Sequence, residues 1–126
     1  MPSLDLARRY FAAIEAGDMD AVAQCYAEDA IFWSNIDRVK QSREESIRTL
    51  ERFIAQTSQR EYRTPVLLRT QAGFAQRHLL AYRKLDGQAV ELPCLIIGSV
   101  SGGRITRLEQ YCDNPEASPP TDPLRS

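Results

Sequence analysis

Few side chains here can do chemistry, and their placement narrows what that chemistry could be. The single histidine, His78, has strand parity opposite to Arg77, which predicts that it faces out as a surface or interface residue. Cys25, Cys94 and Cys112 show neither metal spacing nor a disulfide framework. Cys112 shares a face with Leu108 and Gln110, but no histidine is placed to activate it, which disfavours a nucleophilic role. Glu109 and Asp113 have the opposite parity and point out, although Asp113, at a strand end, could turn toward a mouth. Glu28 and Asp29 sit where a helix ends and a strand begins. No phosphate-cradling glycine loop, metal constellation or nucleotide fingerprint occurs. The stretch "YAEDAIFWSNI", Tyr26 to Ile36, turns from acidic to aromatic and ends on Ser34 and Asn35. Such groups, with Gln110, hydrogen-bond a ligand but do not readily take a proton.

The elements that must position them can be read from periodicity. Leu4, Ala7, Phe11 and Ile14 recur at helical spacing, with Leu6, Tyr10 and Ala13 beside them. Gly17 suits a helix C-cap and Asp18 the N-cap of a shorter helix running to about Ala27. A strand over Ala30 to Ile36 follows. Ser42 caps a third helix whose apolar stripe is Ile47, Leu50, Phe53 and Ile54. After Ser58 the period changes to extended segments, "EYRTPVLLRT", "FAQRHLLAYRKL", "AVELPCLIIGSV" and "RITRLEQYCD". Asp86-Gly87 marks a hairpin, and Pro65 and Pro93 predict edges or bulges.

Three helices and a four-strand antiparallel meander with one early strand predict an α+β domain. We expect a cone-shaped roll, with three N-terminal helices packed in a strongly curved, mainly antiparallel sheet. One domain over residues 1–114 is expected, with a flexible Pro- and Ser-rich tail over 115–126. The chain has 126 residues, 43% of them apolar and 26% charged, with net charge -1. Those values suit a soluble globular domain and give no field to collect nucleic acid or anionic membrane. No apolar run approaches the ~20 residues of a membrane span, and the N-terminus lacks a secretory signal pattern. The cysteines are expected as buried thiols in a reducing cytoplasm.

The stretches "RRYFAAIEAGDMDAVAQCYAEDAIF" and "GGRITRLEQYCD" resemble the nuclear transport factor 2-like superfamily, particularly its SnoaL-like and ketosteroid isomerase-like branch. The likeness spans roughly residues 4 to 113. It implies an apolar pocket between helices and sheet and, as in many relatives, a homodimer formed sheet to sheet; the residues themselves point to no cofactor or metal. It also assigns roles. Tyr10 matches the isomerases' helix-1 tyrosine, whose phenol donates to a developing enolate oxygen; alternatively, it only packs. The isomerase base falls on Ser34. A tyrosine and asparagine of the epoxide hydrolases fall on Trp33 and Asn35 if the strand has one extra residue. Only one set, Trp33 and Asn35 or Phe32 and Ser34, can face the pocket. The "Asn-Ile" corner favours the first, and a bulge would reverse it.

The hydrolases' Arg-x-Asp falls on Arg77 and Leu79, which share a face with Ala81. An inward Arg77 would need a partner or an anionic ligand; otherwise it lies along the rim. A protonated aspartate of the isomerases falls on Leu95, and a last-strand acid of the cyclases and hydrolases on Gln110. Those carboxylate positions therefore hold none here, which disfavours the known isomerase, cyclase and hydrolase mechanisms. The expected pocket has walls from Ile14, Trp33, Phe53, Leu79 and Leu95. Its anchors are Tyr10, Asn35, Arg77 and Gln110, with Cys112 beside Gln110. It suits a small apolar ligand bearing a carbonyl or carboxylate. Tyr10, Asn35 and Gln110 are the catalytic candidates if the protein is an enzyme. The other reading is a non-catalytic ligand-binding or dimeric association module.

Overall fold

The computed structural model describes residues 2–113. Helix α1 (Pro2–Ala16) buries Leu6, Ala7, Tyr10, Phe11, Ala13 and Ile14, which is the stripe that the spacing predicts. It stops at Gly17, whose φ of +73° is a left-handed conformation that a side chain would strain. Asp18 then caps α2 (Met19–Cys25), accepting from the Ala21 N–H at 3.1 Å. Ser42 and Glu45 form a reciprocal capping box that starts α3 (Arg43–Ala55).

The strands are β1 (Tyr26–Ser34), β2 (Lys40–Ser42), β3 (Thr57–Arg69), β4 (Gly73–Lys84), β5 (Ala89–Ser101) and β6 (Arg104–Cys112). They form one sheet in the order β2-β1-β6-β5-β4-β3, antiparallel except for the parallel β1–β6 pair. The α+β roll is as expected. Four details differ from the sequence reading. Helix α2 ends at Cys25 rather than near Ala27, β1 begins at Tyr26 rather than Ala30, and β2 was not foreseen. Pro93 lies in interior strand β5 without a bulge. Its carbonyl accepts from the Asp113 N–H at 3.3 Å. The position of its missing N–H therefore faces the same neighbour, β6, just where that strand ends at Cys112. The expected tail over 115–126 lies outside the described residues.

Curvature comes from β3, whose register against β4 shifts between Ser58 and Glu61 and again between Arg63 and Val66. Gln59 and Thr64, at φ of 55° and 48°, sit in those shifts beside Arg60 and Pro65. Arg60 fastens the bend. Its guanidinium donates to the carbonyls of Ile14, Ile54 and Thr57 at 3.1, 3.3 and 2.9 Å, placing a cation over the last turns of α1 and α3. The main core joins α1 to Tyr26, Phe32, Phe74, Ile96, Ile105 and Leu108. A second cluster around Leu80, Cys94 and Cys112 takes in Phe53, Tyr62, Tyr82 and Leu92. Among the described residues no helix is long and apolar enough to cross a membrane.

Candidate functional site

Helix α3 is amphipathic, yet Ile47, Leu50, Phe53 and Ile54 are only half-buried. The reason is that they overlook a hollow rather than solid core. The hollow has two chambers between α3 and the concave face of the sheet. An outer chamber of about 270 Å³ is lined by Tyr10, Phe32, Ser34, Ser46, Leu108 and others. An inner one of about 240 Å³ is lined by Phe53, Tyr62, His78, Leu80, Cys94 and others. Ile36, Thr49, Leu50 and Gln110 border both, so the two chambers adjoin across a wall of these four side chains. Each is just below the ~300 Å³ at which ordinary ligand sites begin.

Helix α1 and β1 together set the polar floor of the outer chamber. The phenols of Tyr10 and Tyr26 are 2.8 Å apart, and either can be the donor. Burial pushes the Tyr10 phenol well above its usual range, reinforced by the neighbouring Tyr26. Burial likewise pushes Tyr26 up to about 12, against the opposing effect of hydrogen bonds with Tyr10 and Ser46. Both therefore stay protonated and serve as hydrogen-bond donors. If Tyr26 donates to Tyr10, the Tyr10 hydrogen is left for a ligand oxygen, and the pair polarise each other in a site of low dielectric.

Gln110 stands at the junction of the chambers, its amide nitrogen 3.1 Å from Cys112 Sγ. Its parity with Leu108 and Cys112 is that predicted. The Asn35 side chain does not face a ligand. Its Nδ2 donates to the Cys112 carbonyl at 3.0 Å and its Oδ1 accepts from the Cys112 N–H at 2.8 Å. This two-point clasp ties the end of β1 to the end of β6, a structural use of the residue expected as an anchor.

Strand parity is reversed at two places. In β1, Ala30 and Phe32 are buried with Ser34 on the same face. The Trp33 ring lies against Tyr111, centroids 5.4 Å apart, and only edges the mouth of the outer chamber. Tyr26, Ala30 and Phe32 are all buried, so the inward parity is the same on either side of the register irregularity between Tyr26 and Ile31 against β6. In β4, Gln76, His78 and Leu80 are buried, while Arg77 is exposed and lies opposite Leu95 of β5. Leu79 and Leu95 share that outer face, so neither they nor Arg77 line the hollow. Alternation separated the two sets correctly but assigned the polar one to the wrong side. Ile14, 2% exposed, is packed in the core and lines neither chamber. Phe53 lines the inner chamber as expected.

The sequence reading missed Gln76 and His78. Gln76 Nε2 and His78 Nδ1 are 3.1 Å apart and both residues are buried. Desolvation lowers the imidazole pKa to about 4, so it is neutral near pH 7. A glutamine and histidine two apart, hence on one face of the strand, were the available signal: two polar groups that could satisfy each other inside. Also missed was Asp37, the one carboxylate that lines the outer chamber; it is exposed at the lip and accepts from the Val39 N–H at 3.1 Å. The cysteine expectation is corrected as well. Cys94 and Cys112, opposite each other on β5 and β6, form a disulfide on the wall of the inner chamber, leaving Cys25 as the buried free thiol. Two cysteines 18 residues apart meet because the β5–β6 hairpin brings them into register, which spacing alone does not reveal. Among the described residues no group of three or more His, Cys, Asp or Glu could hold a metal ion.

Comparison with known proteins gives a consistent picture. A model of the SnoaL-like domain matches residues 7–108. A candidate polyketide cyclase from Pseudomonas putida is 23% identical, with TM-score 0.79, over 88% of this chain and 91% of that one. An LEH-like epoxide hydrolase of M. tuberculosis is 17% identical, TM-score 0.76, over 89% and 83%. A hypothetical protein with a ketosteroid isomerase-like fold from Catenulispora acidiphila, in complex with trimethylamine, is 14% identical, TM-score 0.74, over 84% and 83%. At these identities the likeness establishes the fold alone. No curated protein matches the sequence at a significant level.

Proposed function

The chain belongs to the SnoaL-like domain family, and from that premise we propose that it holds a small, mainly apolar molecule in the hollow under α3. The observation that carries this reading is the pair of adjoining chambers with Gln110 between them and the Tyr10 phenol on the outer floor. The hollow has room for a ring system, and the Tyr10 phenol and Gln110 amide are neutral donors that would hold and polarise an oxygen. Neighbours in fold bear the names of a candidate polyketide cyclase and an LEH-like epoxide hydrolase, which accord with such an occupant. Among the described residues no carboxylate lines the inner chamber, and Asp37, at the lip of the outer one, is already engaged by the backbone. Ligand holding and carbonyl polarisation therefore fit this site better than proton abstraction. Thermal-shift measurement with a panel of aromatic and alicyclic ketones is expected to raise Tm by several degrees at saturation, since 100 Kd of ligand adds about 2.7 kcal/mol. Leu50→Trp, which fills the shared wall, is expected to abolish the shift. A panel without effect, or an equal shift in the folded Trp variant, would refute the reading.

A second feature favours association. Val66, Arg77, Leu95 and Tyr111 are successive cross-strand partners on the convex face of the sheet. Leu95, Tyr111 and nearby Ile97 and Ile31 are each more than a third exposed. An apolar stripe of this kind suits pairing with a second copy, sheet to sheet. Sedimentation equilibrium is expected to give a dimer for the wild type and a monomer for Leu95→Arg. A wild-type monomer at tens of micromolar would end this reading without touching the pocket.

A further inference from the structure

His78 raises a question that neither the core nor the fold answers. It is 3% exposed, Gln76 beside it is 4% exposed, and Nδ1 is engaged by the Gln76 amide at 3.1 Å. The other ring nitrogen, Nε2, is enclosed and has no partner among the described residues. The ring edges toward Tyr62 and Phe11, with centroids 4.6 and 5.6 Å apart. Both neighbours are aromatic, and Nε2 forms no hydrogen bond with either. A buried imidazole N–H left unpaired costs about 1–3 kcal/mol, and His78 is among the residues that line the inner chamber.

The charge of the surroundings selects the kind of partner. Among the described residues, no Asp, Glu, Lys or Arg lines the inner chamber. Arg77, the cation that could have met a carboxylate, is on the opposite face of β4. An anion placed there would lose its hydration with no countercharge to replace it. When the Gln76 amide nitrogen donates to Nδ1, the imidazole proton resides on Nε2, and the ring presents a neutral donor. A carbonyl oxygen matches such a donor and carries no net charge.

We propose that the inner chamber is a subsite for an uncharged carbonyl compound, with His78 Nε2–H as the donor to its oxygen and Gln76 as the positioning residue that fixes the tautomer. This rests on the pocket reading above and narrows its ligand from carbonyl or carboxylate to neutral carbonyl. Gln110, at the mouth of the chamber, would flank the bound oxygen's carbon skeleton, and the Cys94–Cys112 disulfide would form part of the apolar wall.

The single histidine makes the test direct. Long-range ¹H–¹⁵N spectra of the uniformly labelled protein contain one imidazole, so tautomer and hydrogen bonding are read without assignment. The free protein is expected to show the neutral Nε2–H form at pH 7. Acetophenone is expected to shift the Nε2 resonance, whereas benzoate, of similar shape but charged, should bind at least tenfold more weakly. His78→Phe should weaken acetophenone binding about 2- to 13-fold, the range for a lost neutral hydrogen bond. His78→Gln, which keeps an amide donor, should restore part of it. An Nδ1–H tautomer, or acetophenone binding that moves the Leu50 and Gln110 amides but leaves His78 unchanged, would overturn this inference and leave the pocket standing. Benzoate binding as tightly as the ketone would overturn it too. If neither probe perturbs Leu50 or Gln110, both readings fall.

Discussion

Replacing Gly98 with valine is expected to destabilise the domain by about 3–5 kcal/mol, at or beyond the upper end of what overpacking a core usually costs. Gly98 lies opposite Phe74 across β4 and β5. A Cβ on Gly98 would come within 2.4 Å of Phe74 Cζ and 2.5 Å of Cε1, too close for any real contact. The ring cannot yield, because Phe74 is completely buried and packs edge-on to Phe11 at 6.2 Å. Gly73, on the same strand as Phe74, is equally confined, with the Gly98 carbonyl 2.4 Å from where its Cβ would be. Backbone and ring are thus in tight contact at this end of the sheet, whereas the two chambers lie under α3. Urea denaturation of Gly98→Val, Phe74→Leu and the double variant would measure the clash. The double variant should be more stable than the sum of the two losses predicts, by at least 1 kcal/mol. Strict additivity would mean that the ring moves aside freely and that this end of the cone is softer than described.

Acid is expected to unfold the wild type by a route that a His78 variant lacks. The folded imidazole has its pKa lowered to about 4 by desolvation, while an unfolded histidine titrates near 6.5. Between these values the unfolded chain holds a proton that the folded chain does not. Stability therefore rises with pH across that window and falls as pH drops through it. The full contribution is present above about pH 6.5 and is gone below about pH 4. Its limit is about 3 kcal/mol, from 1.36 kcal/mol per unit. Glu45 and Glu109 also lose stability on acidification, because hydrogen bonds with Ser42 and Arg107 hold their carboxyls below the usual range. That loss sets in lower, below about pH 4.5, and is common to both proteins. Urea unfolding at half-unit steps from pH 7 to 4.5 should give a steeper slope for the wild type than for His78→Gln. Parallel slopes would place the imidazole in contact with water and remove the basis for its role as a buried donor.

Local chemistry wrote most of the fold in advance. The stripe of α1, the Gly17 and Asp18 pair, the Ser42 cap and the Asp86-Gly87 turn each depend on neighbours within a few residues, and each forms as read. The same holds for the parity of Leu108, Gln110 and Cys112, because a strand's alternation is fixed by its own backbone. The candidate site was only half legible for the complementary reason. Alternation says which residues share a face; it does not say which face is concave. That choice is made when the sheet bends around α1 and α3, and it put Gln76 and His78 inside and Arg77, Leu79 and Leu95 outside. In β1 the same choice put Phe32 and Ser34 on the concave side and left Trp33 against Tyr111 at the mouth.

What the sequence settled alone is a SnoaL-like roll with Tyr10 and Gln110 aimed at its interior and few carboxylates to aim there. What tertiary structure decided is the charge of the hollow: a lone neutral histidine in, a lone candidate cation out, and a disulfide in place of two thiols. The physical reason is that the sign of a curved surface belongs to the whole sheet, and no window of residues along one strand contains it.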